Sequence, residues 1–166
     1  MTPTEALEKV LPAYERYYNV ARSAPAPFAA TAEFHSHGEK YLLIRQAKIW
    51  DMDSHEYVYF AARDALDETA LRTLIEAAWD DAMPRVEPSG SHRNSDVTLV
   101  LLLPELDAAA RTAIRRTHRS LGYQHGLQGW SNLRIGAIEL SDGRITTNRH
   151  GKDLKKLLSN IFQNIR

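Results

Sequence analysis

Several features that define common protein classes are missing from this sequence of 166 residues. It has no cysteine, which excludes a disulfide framework, a thiolate zinc site and a cysteine nucleophile. Its longest apolar run, residues 97–104, is far too short to span a bilayer, and residues 1–18 carry charges throughout, unlike a secretory leader. Eight glycines and seven prolines are too few for a low-complexity chain. We therefore expect a cytoplasmic protein with no membrane segment, folded as a single domain over residues 1–166.

The chain also lacks a net charge, because 21 basic side chains balance 21 acidic ones. The balance hides two unlike halves. Residues 1–83 carry 14 acidic and 8 basic side chains, a net charge of −6, whereas residues 84–166 carry 7 acidic and 13 basic ones, a net charge of +6. Such asymmetry indicates either an anionic partner for the basic half or two halves that neutralise each other on folding.

The spacing of apolar residues predicts a mixed sheet covered by helices. Helical spacing covers residues 3–18 with a kink or break at Pro12, a segment capped by Asp67, residues 105–121 stopped by Gly122, and a last segment from about Lys152. Strand patterns cover residues 28–35, 40–50, 56–62, 97–103, 133–140 and 144–148. The first three strands predict an N-terminal meander, the fourth a central strand buried on both faces, and the last two a hairpin turning at Asp142-Gly143. The order αβββαβαββα is that of an α/β (α+β) domain.

Two histidines near the end of the first strand are the best metal candidates. His35 and His37 are two residues apart, so both imidazoles lie on one side of a strand. Asp51, Asp53 and His55 form a second polar group, which the predicted 11-residue second strand separates from the first by about 36 Å. Neither group alone has three well-spaced ligands, so we expect no resident metal and no other cofactor.

A short pattern in the predicted second strand suggests an alternative, catalytic function. Gln46 and Lys48 are two residues apart in YLLIRQAKIW, residues 41–50, and such a pair can line a magnesium site and activate water. This strand resembles the Gln-x-Lys strand of Mrr-type restriction endonucleases. The resemblance implies a magnesium-dependent nuclease, or its inactive relic, with Glu33 in the place of that family's aspartate.

Basic residues concentrate in the last third of the chain. Arg111, Arg115, His118 and Arg119 follow one face of the predicted third helix, and Arg149 and Lys152 lie near the start of the last helix, where the helix dipole favours an anion. Several cations on one surface are what phosphate recognition requires. The glycine-rich GYQHGLQG, residues 122–129, lacks the Lys-Ser/Thr ending of a phosphate-binding loop, and no Gly-x-Ser-x-Gly nucleophile motif is present.

The C-terminal block GLQGWSNLRIGAIELSDGRITTNRHGKDLKKLL, residues 126–158, resembles a family of small bacterial proteins of unknown function. In that family a Gly-Trp pair leads into a strand, and an Asn-basic-x-Gly-basic segment opens the last helix. Strands similar to EKYLLIRQAKIW and HEYVYFAAR follow its N-terminal helix. The matching pieces here are Gly129-Trp130, residues 133–139 and residues 148–152. The resemblance spans nearly the whole chain and implies one complete domain but no activity.

Together these patterns favour a non-catalytic binding or interaction module with a basic C-terminal surface for an anionic ligand or a nucleic acid. The residues that we expect to bind it are Gly129, Trp130, Arg134, Asn148, Arg149 and Lys152. The magnesium-dependent nuclease with Glu33, Gln46 and Lys48 stays open. A homo-oligomer paired through exposed aromatic residues, drawn from Trp50, Tyr57, Tyr59 and Trp130, also stays open.

Overall fold

One mixed sheet of seven strands organises the part of the chain that the computed structural model describes, residues 1–36, 53–88 and 92–166. The strands are β1 (Asn19–Ala21), β2 (Ala30–Ser36), β3 (Asp53–Ala62), β4 (His92–Leu103), β5 (Ser120–Gly122), β6 (Trp130–Glu139) and β7 (Ile145–Thr147). Their spatial order is β1-β2-β3-β4-β6-β5, and β7 also pairs with β6. β3, β4 and β6 run parallel to one another, and the remaining pairs are antiparallel.

Helices cover both faces of this sheet, which makes a three-layer domain. They are α1 (Pro3–Glu15), α2 (Glu68–Ala82), α3 (Ala108–Arg116) and α4 (Leu154–Ile165). α2 and α3 pack on one face over a core that includes Tyr59, Leu99 and Ile135. α1 and α4 pack on the other face over Phe60 and Leu102. The fold class is therefore the mixed α/β domain that the order of patterns predicts. None of the described helices has the length and apolar character needed to cross a membrane.

β4 is the central strand, as its aliphatic run predicts. It lies between β3 and β6 and is parallel to both. Every residue from Val97 to Leu103 is fully buried, because the helices cover the strand on both faces. The strand continues the sheet outward through Asn94 and Asp96, where its side chains become polar.

The N-terminal meander is present, but its members differ from the prediction. It consists of β1, β2 and β3, and the predicted strand at residues 40–50 lies outside the described residues. β2 pairs directly with β3, with Ala30 opposite Phe60 and His35 opposite His55. The separation predicted between the two polar groups near His35 and His55 is therefore wrong. The two strands before and after residues 37–52 are neighbours, so their ends meet.

α1 also differs from its pattern. The capping box holds, since Thr2 accepts from the backbone of Glu5 and the Glu5 carboxylate accepts from the backbone of Thr2 at 2.7 Å. The helix is one segment that includes Pro12 rather than two short helices, and it ends at Glu15 instead of reaching Tyr18. The chain then forms the edge strand β1, a strand of three residues that is too short to show a period in sequence.

The third helix is shorter than its apolar pattern suggests. Asp107 caps α3 by accepting from the backbone of Ala110 at 2.7 Å, and the helix ends at Arg116 rather than at residue 121. Gly122 is therefore not a helix stop: it lies in β5, opposite Trp130 of β6. By contrast, the Asp67 cap of α2 and the hairpin of β6 and β7 match their predictions, and α4 begins two residues after Lys152.

Candidate functional site

Polar side chains replace apolar ones in the N-terminal half of the three parallel strands, on the face covered by α1 and α4. Side chains alternate along a strand, so Glu56 lies on the same face as Val58 and Phe60, which belong to the core beneath these helices. The same parity places Asp96 and Thr98 with Val100 on β4, and Arg134 with Ile138 on β6. The parallel register aligns Glu56 with Asp96, and Thr98 with Arg134. Charged groups from three strands therefore converge.

An ion pair between Glu56 and Arg134 lies at the centre of this cluster. A guanidinium nitrogen of Arg134 is 2.6 Å from Oε2 of Glu56, and the exposed fractions of the two side chains are only 5% and 4%. The Thr98 hydroxyl donates to the same oxygen at 2.6 Å, and the Tyr18 hydroxyl donates to Oε1. These bonds satisfy a carboxylate that would be costly to bury alone.

Two further carboxylates surround the Arg134 guanidinium. Asp153 accepts from it at 2.7 Å and Asp96 is 3.8 Å away. Burial by itself lowers the pKa of Arg134, but the charges of Glu56, Asp96 and Asp153 outweigh burial and raise that pKa above its ordinary value. Arg134 is thus permanently charged and fixed by internal partners.

A cleft of about 410 Å³ opens over this network. We call it the polar cleft; its lining residues are Asn94, Asp96, Trp130, Asn132, Arg134, Arg149, His150, Lys152 and Asp153. Four of the six predicted ligand-binding residues, Trp130, Arg134, Arg149 and Lys152, therefore meet in one place. Arg134 forms part of the wall, whereas Arg149 and Lys152 are exposed.

The remaining two predicted ligand-binding residues lie outside the lining. Gly129 has a positive φ of 85° in the turn that leads into β6. Asn148 is 1% exposed, and its amide is used within the protein: Oδ1 accepts from the backbones of Ile135 and Gly151 at 2.8 and 3.0 Å, and Nδ2 donates to Leu133 and Thr117. Asn148 thus holds the turn that carries Arg149 and Lys152.

A second cleft of about 530 Å³ lies beside the first, and we call it the basic cleft. It is lined by Gly143, Arg144, Ile145, Lys152, Lys155, Lys156 and Ser159, with no carboxylate among them. Lys152 lines both clefts. Among the described residues no carboxylate lies within ion-pair distance of Arg149, Lys152, Lys155 or Lys156. The cations of the two clefts therefore form one continuous surface.

Other basic residues of the C-terminal half are neutralised inside the fold. Arg111 makes a two-pronged pair with Glu139 at 2.7 and 3.0 Å, and its hydrogen bonds lower the pKa of that carboxyl. Arg119 pairs with Glu76 of α2. Arg111 and Arg119 are thus not available to a partner, whereas Arg115 on α3 and the cations around the start of α4 are exposed.

His150 is a titratable residue in the lining of the polar cleft. Its ring centroid is 4.9 Å from that of His118, and its Nε2 is buried with no hydrogen-bond partner among the described residues. Burial lowers the pKa of His150, and the nearby charges of His118 and Arg149 lower it further. The protonated form of the imidazole is therefore disfavoured next to the cations of the polar cleft.

Glu33, the described residue of the nuclease hypothesis, does not join this site. Glu33 lies on the α2 face of the sheet, opposite to Glu56, and it pairs with Arg85 and contacts His35 at 3.3 Å. Gln46, Lys48 and the metal candidate His37 lie outside the described residues. In the parts of the chain that the structure describes, no group of three or more His, Asp or Glu side chains could hold a metal ion.

Sequence reasoning missed Glu56, Asp96 and Asp153. A signal for Glu56 existed, because it has the same parity in its strand as the core residues Val58 and Phe60. An acid at such a position needs a buried partner of opposite charge. No pattern could have selected Arg134 as that partner, because the two residues are 78 positions apart in sequence.

The fold and the two clefts define a three-layer α/β/α domain with a cation-lined surface at the start of its last helix. The chain belongs to the family described as Domain of unknown function (DUF8052), whose sequence profile matches residues 2–160. This agrees with the expected membership of an uncharacterised family. No curated protein and no solved structure gives a significant match.

Proposed function

We propose that this domain is a cytoplasmic, non-catalytic binding module for a ligand that carries several anionic groups. One observation supports the proposal above all: Lys152 lines both the polar and the basic cleft, so Arg144, Arg149, Lys155 and Lys156 share one surface with it. A continuous set of cations suits a chain of phosphates better than a single anion, since each phosphate can be neutralised by a different side chain.

The distribution of charge within the polar cleft supports a position for the anion at its rim. The wall already pairs Arg134 with Glu56 and Asp153, and Asp96 adds another negative charge there. Arg149 and Lys152 are exposed at the opening, close to the N-terminal end of α4, whose dipole also favours negative charge. An uncharged part of the ligand, such as a nucleic-acid base, would lie against Trp130 and Asn132, which line the same cleft.

The test measures the binding of a fluorescein-labelled single-stranded oligonucleotide of about 20 nucleotides, with inorganic tripolyphosphate as a competitor. We expect the double variant Arg149→Ala/Lys152→Ala to bind the oligonucleotide roughly tenfold more weakly at low salt. Since each neutralised phosphate of a single strand contributes about −0.7 to the slope of log K against log salt, the slope should flatten by about 1.4.

The matched control is Arg115→Ala/Arg116→Ala, which also removes two exposed arginines of the basic half. These residues lie on α3, which packs on the opposite face of the sheet, so this variant should bind like the parent protein. Equal weakening in both double variants would show that net charge rather than this surface governs binding. If neither anion binds the parent protein at 20 mM salt, the proposal is wrong.

A separate assay with duplex DNA distinguishes binding from cleavage. A nuclease of the Mrr type would cut duplex DNA once magnesium is added, and Lys48→Ala would abolish cutting while leaving circular dichroism unchanged. Cleavage products that form only with magnesium and only when Lys48 is present would support the nuclease hypothesis over the binding module. Sedimentation of the parent protein tests whether it forms a homo-oligomer. Tyr57 and Tyr59 are buried, so they cannot contribute to an interface between subunits.

A further inference from the structure

Two histidines face each other across the antiparallel pair of β2 and β3. His35 is the register partner of His55, and the ring centroids are 4.7 Å apart with planes inclined at 71°. The Nδ1 atoms of the two rings are in direct hydrogen-bonding contact. Two imidazole nitrogens thus converge on one point, although 20 residues separate them in sequence.

A carboxylate orients the first of these two histidines. Glu33 is two residues before His35 on the same face of β2, and its Oε2 is 3.3 Å from Nε2 of His35. Arg85 holds the other oxygen of that carboxylate. A carboxylate is a strong acceptor, so Nε2 of His35 carries the proton and Nδ1 presents a lone pair to His55.

We propose that His35 and His55 form a binding site for a divalent transition-metal ion such as Zn²⁺ or Ni²⁺. Each histidine coordinates the ion through its Nδ1 atom. Glu33 acts as the outer carboxylate that orients His35, an arrangement common around metal-bound histidines. Metal binding displaces the proton that lies between the two Nδ1 atoms, and each histidine coordinates the ion as a neutral imidazole. Water completes the coordination shell.

The geometry requires only a small adjustment. Metal–nitrogen bonds of 2.0–2.1 Å in a tetrahedral site place the two nitrogens roughly 3.3 Å apart, so the rings must separate slightly. The His35 side chain is 45% exposed, which leaves it room to rotate and gives the ion access from solvent. The net charge of −6 on residues 1–83 also favours a cation over an anion in this half.

This site is independent of the proposed anion-binding surface. His55 lies on the face of β3 that carries Tyr57 and Tyr59, beneath α2, whereas the polar cleft lies on the other face. The second close pair of histidines, His118 and His150, provides an internal comparison. Its rings are tilted by 31° with centroids 4.9 Å apart, and Nε2 of His150 has no hydrogen-bond partner among the described residues.

The test is calorimetric titration of the full chain with zinc chloride and, separately, nickel chloride at pH 7.5. We expect one equivalent of metal to bind, and His35→Ala and His55→Ala each to weaken binding at least tenfold. Glu33→Gln should weaken it by about 10–100-fold, because the outer carboxylate raises the basicity of its histidine. His118→Ala is the matched control and should bind metal like the parent chain. Circular dichroism confirms that each variant is folded.

A second readout identifies the coordinating atoms. In long-range ¹H–¹⁵N spectra, zinc should shift Nδ1 of His35 and of His55 and leave Nε2 as the protonated nitrogen. Binding by the parent chain that His118→Ala abolishes and His35→Ala does not would overturn the proposal. So would coordination through Nε2 of His35, or the absence of binding at micromolar metal.

Discussion

At the scale of single residues, identical side chains have opposite roles in this domain. Arg134 and Arg149 both belong to the basic half and both line the polar cleft. Arg134 is buried against Glu56 and Asp153, so its charge stabilises the protein itself. Arg149 is exposed, and no carboxylate among the described residues neutralises it. The two arginines look alike in sequence, since only the position of distant acids distinguishes them.

His150 allows the electrostatics of the cleft to be measured directly. We expect its pKa in the folded protein to lie below the ordinary value of about 6.5, because of burial first and the charges of His118 and Arg149 second. His118→Ala should raise that pKa without restoring it fully, since burial remains. NMR titration of the imidazole protons measures both values; an unchanged pKa in the variant would contradict the role of His118.

The same shift sets the sign of a pH effect on stability. The folded state binds fewer protons at His150 than the unfolded state near pH 6, so the free energy of unfolding should fall as the pH drops through 6.5. His150→Gln should flatten this part of the curve. Urea unfolding between pH 5 and pH 8 compares the two proteins.

At the scale of elements, the turn between β7 and α4 is the part that positions the candidate site. Asn148 binds this turn to β6 through Ile135 and Leu133. Gly151 packs so closely there that an added Cβ would lie 2.5 Å from the carbonyl oxygen of Ile135 and 2.7 Å from Oδ1 of Asn148. The Asn-x-x-Gly spacing of the sequence therefore reflects a structural requirement. Asn148 and Gly151 are buried, whereas the basic residues Arg149 and Lys152 are exposed.

Asn148→Ala should destabilise the protein by about 1–3 kcal/mol for each buried backbone group left without a partner. Asn148→Asp keeps the acceptor for Ile135 and Gly151 but places a buried carboxylate oxygen against the carbonyls of Leu133 and Thr117, so it should destabilise the protein at least as much as alanine does. Urea unfolding measures all three proteins. If Asn148→Ala is as stable as the parent, the amide does not hold the turn.

Sequence patterns predicted the long elements well and the short ones poorly. α2, β4 and the hairpin of β6 and β7 each have a period or a turn signal that extends over several residues. β1 and β5 have only three residues each and exist because neighbouring strands offer them unpaired backbone groups. Within the candidate site, the sequence indicated the basic segment near Lys152. It did not indicate the acidic residues that form ion pairs with Arg134.

At the scale of the whole molecule, the two oppositely charged halves meet in the sheet. Glu56 of the acidic half pairs with Arg134 of the basic half, and Glu76 and Glu33 pair with Arg119 and Arg85 in the same way. Part of the charge contrast is thus used within the fold. The exposed cations Arg149, Lys152, Lys155 and Lys156 lie together around the start of α4, which is why we propose that surface as the binding site.

Glu56→Gln should destabilise the protein by about 3–5 kcal/mol, because it leaves the buried Arg134 without its closest counter-charge. Glu68→Gln is the matched control: its carboxylate is 74% exposed and only 3.5 Å from Arg72, so the loss should be below about 0.5 kcal/mol. Thermal and urea unfolding measure both variants. Similar small losses in the two would show that the buried pair contributes little.

The sequence alone determined the class of this domain, its central strand and the capped helices, because these depend on periodicity, turn residues and local hydrogen bonds. It also determined that charge is divided between the two halves. Only the tertiary structure decided which charges are neutralised and which histidines meet, because both depend on strand order and register. β2 beside β3 brings His35 to His55, and β3, β4 and β6 side by side bring Glu56 to Arg134. No local pattern encodes contacts between residues so far apart in the chain.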